Sequence, residues 1–81
     1  GGISATVVDH RIIFATALKV LASGIVIAHN HPSGNLDASE EDLKLTKRIK
    51  ESGEILDVRL IDHLILGIND DYSSFMEKGW L

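Results

Sequence analysis

The chain contains no cysteine. A disulfide framework is therefore excluded, and so is any metal site built on thiolates. No apolar run reaches the roughly 18 residues that span a bilayer, and there is no signal-peptide pattern. The expectation is a cytoplasmic protein of a reducing compartment with no membrane partner. Positive charge is also short: eight Lys and Arg stand against twelve Asp and Glu, a formal net charge of −4. Non-specific nucleic-acid binding works by neutralising phosphates, so this balance disfavours it. Lys44, Lys47, Arg48 and Lys50 crowd one segment and read as the solvated face of a helix rather than a nucleic-acid patch. No serine lies beside a suitable base, which leaves covalent catalysis without an evident nucleophile. Internal repeats, linkers and low-complexity stretches are absent.

What is present fits one small domain. With 81 residues the chain buries a modest core. A hydrophobic content of 44% and a charged content of 25% are ordinary for a globular chain and argue against disorder. The sequence opens Gly1-Gly2-Ile3 without an initiator methionine, directly in a strand-like run. It reads as a single domain over 1–81 that lacks its N-terminal strand or strands. Strand edges left exposed in this way favour pairing between chains, so an oligomer is compatible with the sequence.

Ile3 to Val8 has the β-branched content of a strand, and Asp9 is placed to cap a helix. Phe14, Ala17, Leu18 and Leu21 then recur at helical spacing between Arg11 and Ala22. Ser23-Gly24 is the expected stop, with Gly24 in the left-handed C′ conformation. Ile25-Val26-Ile27-Ala28 is a short uninterrupted apolar run that predicts a strand buried on both faces. Ser39 opens a second helix, Glu40 and Glu41 complement its dipole, and Gly53 closes it. Its inward stripe is Asp42, Leu45, Thr46 and Ile49. Leu56 to Ile61 and Leu64 to Ile68 read as two further strands with Asp62-His63 at their junction. Asn69-Asp70-Asp71 is a turn, and the tail to Leu81 reads as a short helix plus an apolar contact from Phe75, Met76, Trp80 and Leu81. The order β-α-β-α-β-β predicts an α/β fold with a mixed sheet flanked by helices.

One cluster points to chemistry. The apolar strand delivers His29, and the chain continues Asn30-His31-Pro32-Ser33-Gly34, then Ser39-Glu40-Glu41-Asp42. Side chains two apart on an extended segment point the same way, so His29 and His31 can converge on one ion. Pro32 supports this, since the residue before a proline is pushed out of the helical region. Asp42 arrives at the start of the second helix on its inward face. Two imidazoles and one carboxylate make a three-ligand set for a divalent metal, the pattern of a hydrolytic zinc site that keeps its fourth position for water.

Structural readings compete with this. Ser39-x-x-Asp42 has the form of a capping box. Ser39 serves either account: its hydroxyl can cap the helix or donate a hydrogen bond to an oxyanion. Asn30 and Ser33 shape the loop or support the ligands. Asp62 and His63, adjacent in a strand, point to opposite faces and cannot act as a catalytic pair. Either a structural role or support of the metal site remains open to each. His10, beside Asp9, is expected to be exposed at a helix start.

His29-x-His31-Pro32, six residues, then Ser39-x-x-Asp42 resembles the JAMM (MPN+) metalloprotease motif. With Ser33-Gly34-Asn35, Asp62-His63-Leu64-Ile65 and Tyr72-Ser73-Ser74-Phe75, the chain is similar to the RadC branch of that superfamily over essentially its whole length. The resemblance implies a three-layer α/β fold of the cytidine-deaminase-like kind. It also implies zinc held by His29, His31 and Asp42, a water as fourth ligand, and Ser39 stabilising a tetrahedral intermediate. In JAMM enzymes a glutamate on an earlier strand activates the water for attack on an amide or isopeptide carbonyl. That glutamate would lie upstream of Gly1, and Glu40 and Glu41 at the helix start should point elsewhere. The leading expectation is therefore a zinc-dependent hydrolase domain acting on a peptide or protein, with the 81 residues alone binding metal without turnover. A non-catalytic MPN-type interaction module and a DNA-repair-associated factor are the alternatives, and the acidic charge gives the last no physical support.

Overall fold

Asp9 starts the first helix by accepting a hydrogen bond from the Arg11 backbone N–H, as an N-cap does. The computed structural model describes residues 9–81, so the strand expected over Ile3–Val8 lies outside the described residues. Helix α1 (His10–Lys19) turns Phe14 and Ala17 inward. His10 is half-buried rather than exposed. The helix ends before Ala22, and its left-handed C′ residue is Leu21 at φ 55°, not Gly24. Ala22 N–H reaches the Ala17 carbonyl and Leu21 N–H the Leu18 carbonyl, which together form a Schellman motif. Those paired carbonyls hold a leucine where glycine would be at ease.

Gly24 instead opens β1 (Gly24–Asn30). This strand is not buried on both faces: burial alternates, and Val26 is 54% exposed. Among the described residues, β1 is the edge of a three-stranded sheet of order β1-β2-β3. Helix α2 (Glu40–Leu56) follows. Its predicted stripe is observed, with Thr46 and Ile49 buried and Asp42 and Leu45 half-buried, while Lys44, Lys47, Arg48 and Lys50 are exposed.

Gly53 does not close α2. The helix continues to Leu56 and ends on Asp57 in the left-handed region at φ 57°. Gly53 is there because the chain doubles back onto it: a Cβ at this position would lie 2.2 Å from the Val58 carbonyl oxygen.

The two strands expected around Asp62-His63 are one, β2 (Arg59–Leu66). Polar residues do not interrupt it because both are satisfied. Asp62 accepts from the Ser74 hydroxyl and the Met76 backbone N–H, and His63 bonds to Thr46 and His29. β2 runs parallel to β1, with Ile25 opposite Leu60 but Val26 opposite Asp62, so Ile61 is an extra, bulged residue. The bulge shifts the alternation, and Leu60, His63 and Ile65 all become buried. Asn69 and Asp70 both take positive φ in a tight turn, as a two-residue hairpin of type I′ requires. It leads to β3 (Tyr72–Ser74), antiparallel to β2, a strand the periodicity did not announce because it is so short. α3 (Phe75–Lys78) ends the fold. Trp80 then packs edge-on against Phe75, and Leu81 joins the core of Phe14, Ala17, Ile49, Val58 and Leu60. The architecture is a mixed α/β sheet with helices, compatible with the fold that the JAMM/MPN resemblance implies. No helix among the described residues is long and apolar enough to cross a membrane.

Candidate metal centre

The site forms where the carboxyl end of β1 meets the first turn of α2. His29 is still in the strand, opposite Ile65. His31 keeps the extended path, its backbone N–H donating to the Leu66 carbonyl at 2.9 Å. The two imidazoles therefore leave the same face, as the spacing predicts. After Pro32 the chain turns, with the Gly34 N–H donating to the His31 carbonyl and Gly34 at φ 83°. The turn brings the Asn35 carbonyl to 2.7 Å from His31 Nδ1. A carbonyl only accepts, so Nδ1 carries a proton, and in the neutral ring Nε2 faces the site with its lone pair.

Asp42 is both a cap and a site residue. Ser39 Oγ accepts from the Asp42 N–H at 3.0 Å, and the Ser39 N–H donates to Asp42 Oδ2 at 2.9 Å, a complete capping box. The same carboxylate reaches both imidazoles, with Oδ1 3.1 Å from His29 Nε2 and Oδ2 3.2 Å from His31 Nε2. The two Nε2 atoms are 2.9 Å apart. Three potential ligand atoms thus converge on one point, each from a half-buried side chain. Burial opposes ionisation of Asp42, but the Ser39 backbone N–H, the Ser39 hydroxyl and the two imidazoles outweigh it and hold the carboxyl below its usual range. The cap therefore keeps an anion facing the histidines.

This donor set fits zinc. Ligand bonds of about 2.0–2.1 Å at tetrahedral angles separate the ligand atoms by about 3.3 Å; the two Nε2 atoms are 2.9 Å apart, His29 Nε2 is 3.1 Å from Asp42 Oδ1 and His31 Nε2 is 3.2 Å from Asp42 Oδ2. Among the described residues no second carboxylate joins the cluster. Glu40 and Glu41 are exposed on the first turn of α2.

Two residues enter the site that the spacing did not assign to it. His63, 2% exposed, places Nε2 2.8 Å from His29 Nδ1 and Nδ1 2.6 Å from Thr46 Oγ1. Its ring stacks on Phe75 at 4.2 Å. Burial, with the neighbouring His29 ring, pushes its pKa down to about 4, so the ring is neutral at pH 7. Asp62 points elsewhere, to the start of α3. Burial of Asp62 is outweighed by the Ser74 hydroxyl and the Met76 and His63 N–H groups, which lower its pKa. The pair is divergent, as strand geometry predicts, and His63 is the member that supports the site. Asn30 is exposed, and Ser33 Oγ accepts from the Asn35 N–H, which is loop shaping.

Comparison with known proteins places the chain in a family. The family described as RadC-like JAB domain matches residues 1–80. A UPF0758 protein of Flavobacterium johnsoniae is 48% identical over 79 residues, 98% of this chain and 34% of its own length. A UPF0758 protein of Porphyromonas gingivalis is 47% identical over 81 residues, 100% of this chain and 36% of its own. One from Listeria monocytogenes is 46% identical over 80 residues, 99% and 35% respectively. The chain thus spans about a third of the length of the curated relatives it matches. With the family covering all but the last residue and the His-His-Asp cluster assembled at the strand end, this chain belongs to the RadC-like JAB domain family.

Proposed function

We infer that this domain is a zinc-dependent hydrolase module that cleaves an amide or isopeptide bond in a peptide or protein. The observation that carries the reading is the convergence of His29 Nε2, His31 Nε2 and the Asp42 carboxylate within 3.2 Å of one another. Zinc held there would supply Lewis acidity and a nucleophilic water near neutral pH. The chain's own residues set the stage. His29 and His31 present Nε2 from a rigid strand end, and Asp42 brings the charge that balances the ion. Ser39 Oγ accepts one hydrogen bond from the Asp42 N–H, and its proton, which otherwise helps hold the Asp42 carboxylate, would turn to an oxyanion. The proton acceptor for hydrolysis is supplied from outside the described residues, since no second carboxylate among them joins the cluster. That same observation favours the second reading, a metal-binding interaction module without turnover.

The test is made on the intact protein. Elemental analysis should find one zinc per chain in the wild type and little in His29→Ala, His31→Ala or Asp42→Ala. Unchanged zinc in all three would remove the site. A panel of peptide and isopeptide substrates, assayed with and without chelator, then decides between the two readings: chelator-sensitive cleavage supports the hydrolase, and zinc without cleavage of any substrate supports the interaction module.

A further inference from the structure

His29 is held from behind by a chain of hydrogen bonds that returns to the helix carrying Asp42. Thr46 Oγ1 lies 2.7 Å from the Asp42 carbonyl oxygen and 2.6 Å from His63 Nδ1. A hydroxyl has one proton, and a carbonyl can only accept, so the Thr46 proton goes to Asp42. His63 Nδ1 must then be the donor to Thr46. A neutral imidazole has one N–H, which leaves His63 Nε2 as an acceptor, 2.8 Å from His29 Nδ1. His29 Nδ1 must be the donor to it, and its Nε2 is left with a lone pair. With His29 and His63 each neutral, no other placement of the protons satisfies the three contacts that run from the Asp42 carbonyl through Thr46 and His63 to His29. His31 reaches the same state through the Asn35 carbonyl. Two nitrogen lone pairs and a carboxylate therefore face one another with no hydrogen among them, an arrangement that calls for a cation.

We propose that Thr46 and His63 are positioning residues that lock His29 in the Nδ1–H form with Nε2 aimed at the metal position, tied to the helix that supplies Asp42. The inference rests on the metal-centre reading above. It goes further in making a buried hydroxyl of α2 decide which nitrogen of a β1 histidine is free. Without that hydroxyl the His63 proton has no partner at Nδ1 and moves to Nε2. It then donates to His29 Nδ1, whose own proton shifts to Nε2 and blocks the ligand position. The role of such supporting partners in fixing ring orientation and tautomer is general in metal sites.

The tautomers are read without metal. In the intact, zinc-free protein with 15N-labelled histidine, at about pH 8 where an ordinary imidazole is neutral, long-range 1H–15N spectra should show His29 and His63 protonated at Nδ1 with pyridine-type Nε2. A proton on His29 Nε2 overturns the proposal. Zinc affinity by chelator competition should fall about 10–100-fold in Thr46→Val and return in Thr46→Ser, which restores the hydroxyl. Equal affinity in wild type and Thr46→Val also overturns it. Melting of the zinc-free forms reads any loss of folding apart from loss of affinity, and the wild-type tautomers stand even if Thr46→Val does not fold. A wild type that takes no zinc overturns the metal-centre reading itself, a failure distinct from a wrong tautomer or an unmoved affinity.

Discussion

Asp42 meets two demands that a single carboxylate seldom meets together. One oxygen closes a capping box, and both face imidazoles across 3.1 and 3.2 Å. Asp42→Asn separates them. The amide oxygen can still accept from the Ser39 N–H, so the helix start should lose no more than about 1 kcal/mol, while zinc content falls sharply because the negative charge is gone. Elemental analysis alongside a urea titration checks both halves. Asp62 gives a pH prediction. Its folded pKa lies below 3.8, so the unfolded chain binds the proton first as the solution is acidified. The stability that Asp62 contributes is therefore complete above the ordinary carboxylate range and is lost as pH falls through the lower folded value. The wild type should exceed Asp62→Asn in stability at about pH 7 and lose that advantage progressively as the pH falls below the ordinary carboxylate range. An advantage that does not change across that window would contradict the assignment.

The helix ends carry their own tests, and the sign of each is informative. Gly53→Ala raises intrinsic helix propensity by about 1 kcal/mol, which taken alone predicts a more stable protein. The Cβ would meet the Val58 carbonyl oxygen at 2.2 Å, however. Val58 is itself a core residue at 1% exposure, so the backbone has little room to retreat. Net destabilisation of about 1–3 kcal/mol is expected by chemical denaturation. Leu21→Gly should go the other way. Leu21 is 90% exposed and sits at φ 55°, where a side chain costs about 1–2 kcal/mol. Relief of that strain, partly offset by the greater freedom of glycine in the unfolded chain, should raise the melting temperature.

Across the fold, the candidate ligands tie β1 to α2, and the hydrogen-bonded chain through His63 and Thr46 ties β2 to the same two elements. Zinc should therefore act as a clamp on the tertiary structure. At free zinc about 100 times its dissociation constant the gain is about 2.7 kcal/mol, seen as a higher melting temperature that chelator abolishes. Asp42→Ala should melt at the same temperature with and without zinc. The net charge of −4 carries a separate expectation: the domain should show no appreciable binding to non-specific duplex DNA near physiological salt, measured by fluorescence anisotropy.

The convergence of His29, His31 and Asp42 was readable from residue order because its geometry is local. His-x-His on an extended segment fixes two ligands on one face, Pro32 keeps the segment extended, and a capped helix start fixes the third. Other features were hidden because they depend on distant backbone. His63 meets His29 across 34 positions, and it does so through the β1–β2 register and the bulge at Ile61, neither of which leaves a mark in composition or spacing. Gly53 looks like a helix stop until Val58 is seen folded against it. Leu21 would not be placed at a left-handed cap on propensity alone. Local backbone preference and side-chain period write the elements and their caps into the chain. Which proton sits on which imidazole follows only from groups that the fold brings within hydrogen-bond distance.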